Sequence, residues 1–156
     1  MQKFVNRSKE LEALEKQYAA TGSALVVVYG RRRVGKTALI AEFLKRHPDS
    51  LYFLATEESE AQNLNYFKAQ VAEFTGNELL TTAAVDWLTV FKTLLEHKTK
   101  TKKIIVFDEF QYIGQSNSAF PSVMQKIWDT LLKDANIMLI LCGSLVSLMK
   151  SQTLDY

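Results

Sequence analysis

Only one cysteine, Cys142, occurs in the 156 residues, so no disulfide can form within the chain. It lies within the apolar stretch "IMLILC" and reads as a buried thiol kept reduced. Histidine is almost as scarce: His47 and His97 show no metal-ligand spacing and read as surface residues at helix ends. No apolar run approaches the roughly 20 residues of a membrane span. Met1 to Glu10 is polar and mixed in charge, unlike the basic-then-apolar pattern of a leader. These absences predict a cytoplasmic chain with no membrane partner. Strong net charge is missing too: 19 basic against 17 acidic residues leave +2, which excludes a global field attracting nucleic acid or anionic membrane. There is no internal repeat and no low-complexity tract. What remains, 47% apolar and 23% charged, suits one soluble domain over residues 1–156.

Within that domain, apolar runs alternate with helical periodicities. A helix is predicted from Ser8 to about Ala20, with Leu11, Leu14 and Tyr18 on one face, ending before Thr21-Gly22. "ALVVVY" (Ala24 to Tyr29) has no polar face, the pattern of a parallel strand covered on both sides. A helix from Gly35 to about Arg46 follows and stops at His47-Pro48. "LYFLA" (Leu51 to Ala55), "IIVFDEF" (Ile104 to Phe110) and "IMLILC" (Ile137 to Cys142) read as three further strands. Between them, Leu64, Phe67, Val71 and Phe74 mark a helix ending near Gly76-Asn77, Asp86 caps a helix over Trp87 to His97, and Pro121 opens the first turn of another. Strands alternating with helices predict the α/β class with a parallel sheet and helices on both faces. "KTKTKK" (Lys98 to Lys103) is the one charge run and is expected to be a solvated linker.

"YGRRRVGKTALI" (Tyr29 to Ile40) holds the frame Gly-x-x-x-x-Gly-Lys-Thr between a strand and a helix. Gly30 and Gly35 permit torsions that turn successive amides inward toward phosphate oxygens, and the helix adds the partial positive charge of its N-terminus. Lys36 would reach the β- and γ-phosphates, and the Thr37 hydroxyl would ligate magnesium. "IIVFDEF" carries Asp108 to the C-terminal edge of the sheet, where ligands bind in open α/β folds. Asp108 can hold magnesium there through water, and Glu109 beside it, free of the metal, can orient and deprotonate an attacking water. "CGS" after the fourth strand brings Ser144 to the same edge, either as a site hydroxyl or as the cap of a following helix. An Asn/Thr-Lys-x-Asp element that reads guanine is absent, as is the Leu-Ser-Gly-Gly-Gln signature of transporter ATPases.

Taken in order, "FVNRSKELEALE" (Phe4 to Glu15), "YGRRRVGKTALI", "IIVFDEFQYI" and "LILCGSLVSLM" make the chain resemble the archaeal-type ATPase family. That family belongs to the STAND group of P-loop ATPases, relatives of AAA+ and origin-recognition ATPases. The resemblance implies a P-loop three-layer α/β/α fold with a mostly parallel sheet, ATP or ADP and Mg2+ as ligands, and Mg-dependent ATP hydrolysis. It implies a phosphate loop of Gly30, Arg31, Arg32, Arg33, Val34, Gly35, Lys36, Thr37 and Ala38. It further implies an adenine-side box with Phe4, Val5 and Arg7, a second Walker element of Asp108 and Glu109, and Ser144 as first sensor. Arg31, Arg32 and Arg33 are expected to point outward, toward the N-terminal box, a lid or a partner, with direct phosphate binding as the alternative.

The implied strand order is fifth, first, fourth, third, second, and the chain ends at Tyr156 before the fifth strand, the helical lid and an arginine for the γ-phosphate. The expectation is therefore an N-terminal nucleotide-binding part with "ALVVVY" at a sheet edge. Self-association, a partner chain or the tail from Leu145 to Tyr156 would cover that edge. Two other readings stay open at this point: a nucleotide-gated switch with negligible turnover, and a DNA-associated ATPase using Lys98 to Lys103.

Overall fold

A computed structural model describes residues 8–29 and 35–143. Its four strands are β1 (Ala24–Tyr29), β2 (Ser50–Leu54), β3 (Lys103–Asp108) and β4 (Ile137–Gly143), all parallel in the order β1-β4-β3-β2. The two central strands, β3 and β4, are buried at every residue, which is what an unbroken apolar run requires when helices cover both faces. The chain thus has the three-layer α/β/α architecture that the resemblance implies.

Alternation along the strands sorts side chains between two cores. On one face α1 (Ser8–Ala19) and α2 (Lys36–Lys45) bring Leu14, Leu39, Ile40 and Phe43 against Ile104, Val106, Ile140 and Cys142. The other face carries α3 (Glu60–Thr75), α4 (Trp87–Glu96), α5 (Gln111–Ser116) and α6 (Phe120–Ile127), with a single π-helical turn over Trp128–Leu132. Phe107 lies at the centre of that second core, with ring centroids of Phe67 at 4.9 Å, Phe53 at 5.2 Å and Phe91 at 5.8 Å. This packing fixes the last turn-ward residues of β3, and with them the position of Asp108. Expected helix ends are also found: Gly76 is left-handed (φ 78°) at the end of α3, and the Asp86 carboxylate accepts from the Thr89 amide at 2.9 Å. The hydroxyl and amide of Thr89 hold the Asp86 carboxyl below its ordinary range.

Two surface expectations change. His47 is not simply exposed: its ring lies 4.0 Å from that of Tyr18 and 4.8 Å from that of Phe43, and Nε2 is 2.9 Å from Glu15 Oε1. The last turn of α2 packs on α1, and the imidazole fills that junction. The lysine run is only partly solvated. Lys102 Nζ donates to the carbonyls of Tyr18 (2.9 Å) and Ala20 (2.6 Å), closing the C-terminal end of α1. Lys103 enters β3 and is buried, and burial lowers the pKa of both lysines. The adjacent Asp49 carboxylate takes the Thr101 amide at 2.9 Å.

The sheet edges differ. On β2, Gln70 Nε2 of α3 donates to the Tyr52 carbonyl at 2.9 Å. On β1, pairing among the described residues is to β4 alone, and Leu25, Val26, Val27 and Val28 are half-buried along a groove of about 550 Å³ shared with Leu14 and Gln17.

Candidate functional site

Helix α2 begins immediately after Gly35, whose φ of 86° is in the left-handed region where a Cβ is unfavourable. That torsion lets the chain turn from the β1 side into the helix, with the Gly35 carbonyl accepting the first helical bond from the Leu39 amide at 2.9 Å. Lys36 and Thr37 therefore occupy the first turn, where unpaired amides and the helix dipole favour an anion. Thr37 and Ala38 are exposed, whereas Lys36 is buried.

Lys36 is buried because of what faces it. Register pairs Leu54 with Asp108 and Tyr52 with Val106, so Tyr52, Val106 and Asp108 share the sheet face that α2 covers. Lys36 Nζ lies 2.8 Å from Asp108 Oδ1, an ion pair with side chains only 8% and 4% exposed. The same oxygen accepts the Glu109 amide at 2.8 Å, and the Tyr52 hydroxyl donates to the other carboxylate oxygen, Oδ2. Burial, then the adjoining Asp108 carboxylate, push the Tyr52 phenol well above its ordinary range. Beneath them, burial raises the Cys142 thiol, with Asp108 adding and Lys36 opposing, so this cysteine stays protonated.

β3 stops at Asp108 because Glu109 takes φ 56°, the one positive value at a non-glycine residue among the described residues. Such backbone costs on the order of 1 kcal/mol or more and persists only where neighbours hold it. Here the Ala55 amide donates to the Asp108 carbonyl and the Phe110 amide to the Cys142 carbonyl, both at 2.9 Å, so β2 and β4 clamp the turn from either side. The Glu109 carboxylate accepts from Gln111 Nε2 at 2.6 Å, and Gln111 is itself fully buried at the start of α5. The neighbouring β2–α3 loop is fixed by buried Asn63, which accepts from the Thr56 amide (3.0 Å) and donates to the carbonyls of Thr56 and Ser59 (both 3.1 Å).

The structure thus brings Lys36, Thr37, Asp108 and Glu109 to one end of the sheet. Phe4, Val5, Arg7, Gly30, Arg31, Arg32, Arg33, Val34 and Ser144 lie outside the described residues, as does the tail from Leu145 to Tyr156. Tyr52 and Gln111 join the site without having been singled out in the sequence, and Asn63 fixes the loop beside it. Magnesium requires hard oxygen donors, and the Asp108 carboxylate and Thr37 hydroxyl supply that chemistry beside a cation suited to phosphate. The donor set therefore fits a magnesium nucleotide.

Comparison with known proteins bears on the family and the fold. A family model described as an ATPase domain predominantly from Archaea matches residues 4–156. The uncharacterized protein MJECL04 of Methanocaldococcus jannaschii is 33% identical over 153 residues, covering 98% of this chain and 32% of that protein. Among solved structures, the Walker-type ATPase PABY2304 of Pyrococcus abyssi superposes with a TM-score of 0.66 at 21% identity, over 93% of this chain and 47% of that one. The ORC2 protein of Aeropyrum pernix, solved as ADPNP–ADP complexes, gives 0.61 at 21% identity, over 94% and 43%. The chain spans about a third of the first relative and less than half of either solved protein.

Proposed function

Because the chain belongs to the ATPase domain family found predominantly in Archaea, we propose that it binds ATP or ADP with Mg2+ and hydrolyses ATP in the manner of STAND-type P-loop ATPases. The observation that carries this reading is the 2.8 Å pair between Lys36 at the start of α2 and Asp108 at the end of β3. A buried ammonium beside a helix N-terminus is a phosphate receptor, and a buried carboxylate next to it is a magnesium receptor. In this structure each neutralises the other.

On this reading Lys36 exchanges Asp108 for the β- and γ-phosphate oxygens, while Gly35 and the amides at the start of α2 face the same anion. Asp108, through water, and the Thr37 hydroxyl would hold the metal. Magnesium, when bound, neutralises phosphate charge. Glu109 takes the proton of the attacking water as the water oxygen bonds to the γ-phosphorus and the bond to the β–γ bridging oxygen breaks, leaving ADP and phosphate. Gln111, through its 2.6 Å bond, keeps the Glu109 carboxylate from turning freely. The same reading assigns Phe4, Val5 and Arg7 to the adenine side, Ser144 to sensing the γ-phosphate, and Arg31, Arg32 and Arg33 to contacts with the N-terminal box, a lid or a partner. Among the described residues β1 pairs on one side only, and on this reading its other side takes a further strand of the same protein, a second chain or the tail from Leu145 to Tyr156, with an arginine for the γ-phosphate supplied from outside the residues described. A DNA-binding role gains little from the lysine run, since Lys102 closes α1 and Lys103 is buried in β3.

Thermal denaturation with a nucleotide series tests the proposal. Mg-ATP or Mg-ADP at about a hundred times its dissociation constant stabilises by about 2.7 kcal/mol. For a domain of this size that raises the melting temperature by roughly 5–10 °C. AMP, which lacks the phosphates Lys36 addresses, is expected to give no shift. An equal shift with AMP would mean that the site recognises something other than a polyphosphate.

A further inference from the structure

The phosphate and metal roles above use Lys36 and Asp108 but leave the Tyr52 phenol without a purpose. Tyr52 sits on β2, two residues before the partner of Asp108 in the ladder, and its side chain crosses diagonally to the carboxylate. Its own position is fixed three ways: by pairing with β3, by packing in the core under α2, and by the 2.9 Å bond from Gln70 to its carbonyl. The two oxygens of Asp108 are thereby distinguished. Oδ1 takes Lys36 Nζ and the Glu109 amide, while Oδ2 takes the phenol.

We propose that Tyr52 is a positioning residue for the metal, holding Oδ2 so that Oδ1 is the oxygen presented once Lys36 turns to phosphate. The inference rests on the magnesium-nucleotide reading of this site. Its physical basis is that the terminal torsion of an aspartate is broad and two-fold, so a carboxylate losing its only cation can rotate. The Glu109 amide is one restraint and the phenol is the other. Partners that orient a metal-holding carboxylate typically change metal affinity by about 10–100-fold when removed. Phenylalanine at position 52 keeps the ring and its packing and deletes only the donor.

The test is an ADP-binding titration of the parent and of Tyr52→Phe, first in EDTA and then across a range of Mg2+, with ligand-free melting measured in parallel. The expected result is unchanged ADP affinity in EDTA and a Mg2+ half-point raised about tenfold. Asp108→Asn in the same series is expected to weaken the Mg2+ dependence further than Tyr52→Phe does. An unchanged half-point, whether or not melting falls, would overturn the proposal and leave Tyr52 a packing residue. Equal weakening with and without Mg2+ would also overturn it, assigning the phenol to the phosphate loop or the fold. Failure of the underlying reading looks different: a folded parent that binds ADP neither with nor without Mg2+ removes the premise and the inference together.

Discussion

Replacing Lys36 with alanine is expected to abolish measurable ATP and ADP binding, weakening affinity by about 10² or more. A charge-assisted bond to phosphate from a desolvated ammonium has no substitute among the described side chains of the first turn of α2, where Thr37 and Ala38 carry no charge. The same change has a second consequence. Asp108 is 2% exposed, and removing its cation leaves a buried carboxylate held, among the described residues, by Tyr52 and an amide. Breaking a buried pair in this way costs roughly 3 kcal/mol. Loss of binding must therefore be separated from loss of fold. The double variant Lys36→Ala/Asp108→Asn removes both charges and should recover most of the stability while remaining unable to bind. Recovery of binding together with stability would show that Lys36 serves the fold and not the phosphate.

Glu109→Gln is expected to retain nucleotide binding and lower single-turnover hydrolysis by about 10², the usual scale for losing a general base. The substitution keeps the shape of the side chain, so the left-handed backbone at φ 56° and the contact with Gln111 can persist. Rapid-quench measurement of phosphate release over one turnover checks this, because it excludes product release. Equal rates for parent and variant would move the catalytic base elsewhere. A parent with tight binding but no turnover would favour the nucleotide-gated switch.

The class and order of the elements were legible because the informative signal was local. "ALVVVY" and "IMLILC" have no polar face, and such runs become parallel strands: β4 is buried throughout, while β1 is half-buried from Leu25 to Val28. Asp86 and Gly76 were legible as helix ends for equally local reasons, a side-chain acceptor in one case and an easy left-handed torsion in the other. Lys36 and Asp108 were legible as separate motif residues. Their 2.8 Å contact was not, because it depends on β3 presenting Asp108 to the face that α2 covers. Tyr52 was missed for the same reason. Alternation within "LYFLA" assigns it a face, but only the pairing of Tyr52 with Val106 places it diagonally from Asp108. Gln111 was hidden by the ordinary look of "FDEFQ", whose left-handed turn at Glu109 no composition rule anticipates. Asn63 is a polar residue in an amphipathic helix, and its burial follows from a loop folding back onto it. His47 shows the converse error, in which a residue at a helix end was expected on the surface but fills the α1–α2 junction.

The central claim is that one magnesium nucleotide occupies the place where Lys36 and Asp108 now neutralise each other. Isothermal titration calorimetry of the folded chain with ADP, in the presence and absence of Mg2+, measures this most directly. The account predicts saturable binding of one nucleotide per chain, weakened when Mg2+ is withdrawn. Absence of saturable heat at millimolar ADP with Mg2+, from protein shown to be folded, would contradict it.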